Sequence, residues 1–140
     1  MKLSTRARYA LRAMTIIART SKNGEPVKLA DVAEHTEISH RYLEQVAISL
    51  KSAKLLRGIS GKNGGHVLAR SPDMIQLKEI VEAAIGEISI VDCVSDPDSC
   101  IKIGYCECRN LYDLVNSRIK ETLDEYTLDD LEKGRIKPLR

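Results

Sequence analysis

The chain has 140 residues, a hydrophobic fraction of 43% and 22 Lys+Arg against 20 Asp+Glu. That length holds one domain, or one domain with an appended helix, and a modest core. It contains no apolar run long enough to span a membrane and no secretory apolar segment near its start, so no membrane partner and a cytoplasmic location are expected.

The net charge of +2 hides an uneven distribution. Residues 1–70 carry 13 Lys+Arg against 5 Asp+Glu, and residues 71–140 carry 9 against 15. A basic half suits a surface that faces a polyanion, and an acidic half one that avoids it. A solvated charged surface with no partner would show the same bias.

Ser4 can cap a first helix over about 5–20, with Tyr9, Ala13 and Ile17 along one edge of its apolar face and Ala10, Met14 and Ala18 beside them. Asn23-Gly24-Glu25-Pro26 ends it with turn chemistry. Leu29–His35 predicts a short second helix, with Leu29, Val32 and Ala33 inward. After a break at Thr36-Glu37-Ile38, Ser39 can cap a third helix from Arg41 to Leu50 or slightly beyond. Two helices joined by a short turn form the helix-turn-helix pattern. Leu55–Ser60 and His66–Ala69 then predict two strands, joined through Asn63-Gly64-Gly65, which can supply the positive φ angles of a tight hairpin. A hairpin directly after the third helix is a wing.

Ser71-Pro72-Asp73 carries the signature of a helix start, and Leu77, Ile80, Val81, Ala84 and Ile85 give that fourth helix an apolar face ending at Gly86. A long helix follows over about Arg109–Tyr126, and Thr127-x-x-Asp130 opens a last short one. Leu111, Leu114, Val115, Ile119 and Leu123 form an apolar stripe on the long helix. It can pack back on its own domain or against a symmetry-related copy; two-fold dimers are common, and helix-turn-helix proteins usually read paired half-sites. The expected fold is therefore mainly α with a small β-hairpin wing: a winged helix-turn-helix over residues 1–85, a cysteine-rich loop over 86–108, and a dimerisation helix and tail over 109–140.

The expected partner is double-stranded DNA at a palindromic site, bound by a homodimer. Arg41, Glu44 and Gln45 lie at i, i+3 and i+4, on one face near the start of the third helix. Arg suits guanine, Gln adenine, and a carboxylate can accept from cytosine N4. Ser39 and His40, at the entry to that helix, complete the expected base-contact set. Lys2, Arg6, Arg8, Arg57, Ser60 and Lys62 are expected at phosphates or in a groove, positioning the duplex without reading it. No phosphate-loop or dinucleotide fingerprint occurs, and His35, His40 and His66 are isolated along the chain, so an enzyme is not expected.

All four cysteines of the chain, Cys93, Cys100, Cys106 and Cys108, fall within sixteen residues. Thiolates are soft ligands that suit iron–sulfur clusters and zinc. A single Pro- and Gly-containing loop brings them together at little closure cost. Zinc sites usually contain close Cys-x2–4-Cys pairs, whereas the gaps here are six, five and one. Disulfides are rare in the cytosol. An iron–sulfur cluster, of the 2Fe-2S or 4Fe-4S type, is the expected cofactor, ahead of zinc and of two disulfides.

The order of these features resembles the IscR/NsrR/RirA family of bacterial iron–sulfur transcription regulators, over nearly the whole chain. The resemblance is carried by Met1-Lys2-Leu3-Ser4 with Arg8–Met14, by Ile38–Gln45, by Asn63-Gly64-Gly65-His66-Val67-Leu68, by the cysteine loop and by Tyr126–Leu131. It implies a homodimer, a cluster near the dimerisation helix, and DNA binding set by the state of that cluster. It also maps the family's three cysteine ligands onto Cys93, Cys100 and Cys106. Arg109 stands where some members have a histidine ligand, and Arg8 where others have an acidic one. By comparison with the family, Cys108 is then the spare fourth ligand, with Glu107 or a residue of the second subunit as alternatives. Ser60 stands where the family wing often has arginine, with Lys62 nearby. Two rival functions stay open: a cluster-free regulator that answers to a metabolite or partner enzyme, and a metal-binding scaffold or electron carrier.

Overall fold

Ser4 starts helix α1 (Thr5–Thr20) as its N-cap, its hydroxyl accepting from the Ala7 N–H at 3.1 Å. The computed structural model describes residues 2–100 and 104–139 of the chain. Small side chains let α1 run through the centre: Ala7, Ala10, Ala13, Met14 and Ile17 are all buried. Around it lie α2 (Leu29–Thr36) and α3 (His40–Ser52). Glu37 ends α2 in the left-handed region, at φ 57°, and Ser39 caps α3 by accepting from the Tyr42 N–H at 3.2 Å. Val32, Ile38, Leu43, Val46 and Leu50 close the three-helix core. Tyr9 and Tyr42 meet edge to face with centroids 5.3 Å apart, which fixes α3 on α1.

Strands β1 (Leu56–Ile59) and β2 (Gly65–Leu68) form the antiparallel wing, with Leu56 opposite Leu68 and Ile59 opposite Gly65. Val27 adds a bridge on the other side of β2, exchanging two backbone bonds with His66 at 2.8 and 2.9 Å. The turn differs from the expected one. Positive φ falls at Gly61 and Gly65, not at Asn63 or Gly64. Gly64 is needed for closeness instead, because a Cβ there would lie 2.1 Å from the Ile59 carbonyl oxygen. At Gly65 both demands meet: φ is +156°, and a Cβ would lie 2.6 Å from the Val27 oxygen.

Ser71-Pro72-Asp73 opens only a 3-10 turn (Pro72–Met74), and the fourth helix begins later, as α4 (Leu77–Ile85). Burial explains the delay. Ile75 is fully buried in extended backbone, and its carbonyl accepts from the Leu128 N–H at 2.8 Å. The cap passes to Gln76, which forms a capping box with Glu79. Ile85, expected on the buried face, is 42% exposed.

After α4 come the single-turn helix α5 (Asp92–Ser95), the long α6 (Arg109–Glu125) and α7 (Leu128–Glu132). Thr127 caps α7 in the expected capping box with Asp130. The C-terminal part returns to the core: Leu128 is fully buried, and the Leu77 N–H bonds the Tyr126 carbonyl at 3.0 Å. The long helix therefore packs partly on the helices that precede it. Its Ile119 and Leu123 pack on Ala7, Val81 and Ile88 of the same chain.

Candidate nucleic-acid interface and cysteine loop

The outer face of α3 carries His40, Arg41, Glu44, Gln45 and Ile48, all exposed, while Leu43, Val46, Ala47 and Leu50 hold the opposite face in the core. Arg41, Glu44 and Gln45 thus share one free surface, as their spacing requires. Ser39 is exposed at its start but spends its hydroxyl on the cap. His40 Nδ1 lies 3.3 Å from Glu44 Oε1, one turn along the helix. Ile48 was not foreseen as a surface residue. It is 59% exposed on the same face, where an apolar side chain can meet a thymine methyl. The sequence signal was its position three residues after Gln45 and four after Glu44.

Lys2, Arg8, Arg57, Ser60 and Lys62 are exposed, the last three on the wing or its turn. Lys51 and Lys54, both exposed at the end of α3, extend this basic rim. Arg6 departs from the expected set of free cations. Its Nε donates to the Ala84 carbonyl at 2.8 Å and its Nη2 to Ser49 Oγ at 2.6 Å. Two of its donors are committed inside the protein, where they tie α1, the end of α4 and α3 together.

The four cysteines are free; Cys93, Cys100 and Cys106 are half-buried and Cys108 is exposed. Cys108 is the N-cap residue of α6, without a capping side-chain bond. One turn on stands Tyr112, whose backbone N–H bonds the Cys108 carbonyl at 3.0 Å. Cys108 first, then burial, Cys106 and Cys93 raise the Tyr112 pKa above the ordinary phenol value. Cys100 stands at the edge of residues 101–103, the part of the loop outside the described residues. Among the described residues, no three His, Cys, Asp or Glu side chains are already drawn into a metal-holding group. The donors nonetheless suit a soft metal centre: unpaired thiols in one short loop, beside a buried Arg109 Nε with no hydrogen-bond partner.

Asn116 is the residue that the sequence reading missed. It is the one buried polar residue among those described, 2% exposed on α6. Its Oδ1 accepts from the Ile90 N–H at 3.0 Å, and its Nδ2 donates to the Ile88 carbonyl at 3.2 Å. It clamps the segment that leads from α4 into the cysteine loop. Its only signal was a polar residue beside an apolar stripe. Beyond the clamp, Leu111 and Leu114 stay exposed, 57% and 55%, and Val115 is half-buried. Leu3, Leu114, Val115, Ile119 and Leu123 line an apolar groove of about 570 Å³.

The pattern of the Rrf2 family, described as an iron-dependent transcriptional regulator, matches residues 3–134. The chain belongs to the Rrf2 family. Among its relatives is the HTH-type transcriptional regulator CymR of Bacillus subtilis (strain 168), 36% identical over 132 residues, which are 94% of this chain and 89% of that protein. The HTH-type transcriptional regulator IscR of Cereibacter sphaeroides is 30% identical over 141 residues, 99% of this chain and 91% of that one. The solved structure of CymR, the global cysteine regulator of B. subtilis, superposes with a TM-score of 0.78 at 34% identity, over 96% of this chain and 98% of that one. The IscR of T. potens also reaches 0.78, at 28% identity, over 100% and 93%. This Rrf2 protein is accordingly a bacterial transcriptional regulator with a winged-helix fold, and not an enzyme.

One prediction follows from the α3 face. Glu44→Ala should relax base preference at one position of each half-site, by about 1–3 kcal/mol of lost discrimination. Binding across a panel of single-base substitutions measures it, and an unchanged preference profile removes Glu44 from the readout.

Proposed function

We propose that this Rrf2 regulator acts in the cytoplasm as a homodimer on a palindromic DNA site, and that an iron–sulfur cluster held by Cys93, Cys100, Cys106 and Cys108 sets its affinity for that site. The observation that carries this reading is the position of the free thiols. They lie in one short loop that runs into the start of α6, where Cys108 is the N-cap residue, and the same helix clamps the start of that loop through Asn116. The groove beside Leu114 and the exposed Leu111 support a second copy of α6 as the dimer partner. Ile119 and Leu123 would contribute only their outer edges, because they already pack within the chain.

When bound, the cluster would supply a group whose presence and charge change with iron supply, oxidants or nitric oxide. The protein's own residues provide the route to DNA. Asn116 binds residues 88–90, which follow α4, and Arg6 joins the end of α4 to Ser49 on α3. A loop that loses its ligand changes what Asn116 and Arg6 hold, and so the placement of α3 relative to its symmetry mate. A difference of 1–3 kcal/mol between the two arrangements is of the usual size for such coupling, about 5–150-fold in affinity.

A second reading has its own support. The sulfurs are not drawn together among the described residues, and one relative, CymR, is the global cysteine regulator of B. subtilis. A cluster-free protein that answers to a metabolite or a partner protein would fit both facts. Anaerobic purification separates the two. Visible thiolate-to-iron absorption, with DNA affinity that changes when a chelator removes it, supports the cluster. A colourless protein whose DNA binding ignores iron overturns it. Salt-sensitive binding to a palindrome tests the DNA half independently.

A further inference from the structure

Arg109 begins α6 directly after Cys108, and its backbone N–H bonds the Cys106 carbonyl at 3.2 Å. Its Nη1 is held by Asp113 Oδ2 at 3.2 Å, and its side chain is only 29% exposed. Its Nε is buried and has no hydrogen-bond partner among the described residues. A buried donor without an acceptor is costly, so folded proteins seldom keep one. Where one persists, an unplaced water or ligand is a usual explanation.

The chemistry around Arg109 indicates which ligand. A guanidinium is weakly hydrated, permanently charged and well suited to a buried anion. Next to it are Cys106 and Cys108, whose sulfurs become anionic when they bind a metal. The start of a seventeen-residue helix adds the positive end of its dipole. Nothing anionic but Asp113 is paired with Arg109 in the described structure, and that contact leaves Nε free.

We propose that Arg109 is a positioning residue of the cysteine loop: its charge and its Nε–H stabilise the anionic sulfurs of the bound cluster and favour the reduced state. The inference rests on the cluster reading above. It assigns a role to a residue that cannot itself ligate. Net charge and hydrogen bonds to the sulfurs are two of the levers that set a cluster's reduction potential.

The test uses the full-length protein purified without oxygen, as wild type, Arg109→Gln and Arg109→Lys. Midpoint potentials are read by spectroelectrochemical titration, and cluster lifetime by bleaching in a chelator. Thermal unfolding of the apo forms checks the fold. Arg109→Gln should move the potential to more negative values and shorten the cluster lifetime roughly tenfold, the usual size for a residue that supports metal ligands. Arg109→Lys, which keeps the charge but lacks the Nε–H, should fall between. A wild-type potential and lifetime in Arg109→Gln overturns the inference and leaves the cluster reading intact. If Arg109→Gln does not fold, wild-type values in Arg109→Lys overturn it equally. A wild-type protein that takes up no cluster overturns both.

Discussion

Cys106→Ala is expected to abolish the visible absorption of the protein and to bring its DNA affinity to that of chelator-treated wild type. Cys93→Ala and Cys100→Ala should do the same. A metal centre held by four protein ligands draws its binding free energy from the metal–ligand bonds, which must also offset the entropy of closing the loop. Here that closure must come from the metal, because the described side chains are not gathered beforehand. Removing one ligand leaves an open coordination position beside solvent, since the neighbouring Cys108 is exposed. The change in DNA affinity should be about tenfold, within the usual range of coupling between sites. Absorption spectra and binding isotherms on one palindromic duplex measure both effects. A Cys106→Ala protein that stays coloured, with unchanged DNA response, would remove that residue from the ligand set.

Cys108→Ala distinguishes the fourth ligand. The exposed Cys108 begins α6 as its N-cap residue and is two residues from Cys106. Loss of its thiol should at least alter the spectrum and speed cluster decay. Unchanged colour, decay and DNA response would move the fourth ligand to Glu107 or to a residue of the second copy.

The second large effect is expected at Asn116. Asn116→Ala deletes an acceptor for the Ile90 N–H and a donor for the Ile88 carbonyl, in a region where Ile88 is only 6% exposed. Each abandoned buried group costs about 1–3 kcal/mol, so the variant should lose about 2–4 kcal/mol of stability once partial rescue by water is allowed. Urea unfolding of the apo protein measures it. Ser117→Ala, on the exposed side of the same helix, should stay within about 0.5 kcal/mol of wild type. Asn116→Asp keeps the acceptor for Ile90 but places an oxygen against the Ile88 carbonyl, and should not recover the loss. A wild-type midpoint in Asn116→Ala would mean that the 88–90 segment is held by other contacts.

Local chemistry was written in the sequence wherever a few adjacent residues decide the outcome. Ser4 and Ser39 cap the helices they precede, Thr127 and Asp130 form the expected capping box, and the apolar spacing of α1 and α3 selects their buried faces. The winged helix-turn-helix order, the polar face of α3 and the clustering of the cysteines were legible for the same reason. Periodicity and caps are short-range signals.

What the sequence could not decide depended on distant partners. The start of α4 moved from Ser71 to Gln76 because Ile75 pairs with Leu128, more than fifty residues away. Gly64 and Gly65 are required less by their turn than by the approach of the Ile59 and Val27 carbonyl oxygens. Arg6 looked like one more exposed cation until folding brought Ala84 and Ser49 within reach of its guanidinium. Ile119 and Leu123 belonged by spacing to one stripe with Leu114, yet only tertiary packing divided that stripe between the chain's own core and an open groove. Asn116 had no periodic or motif signal at all, because its role exists only where α6 crosses residues 88–90. The sequence by itself determined the elements, their caps and the chemistry available. The tertiary structure decided which charges are free, which apolar residues remain uncovered and how the cysteine loop is joined to α3, because each of these depends on contacts between segments far apart in the chain.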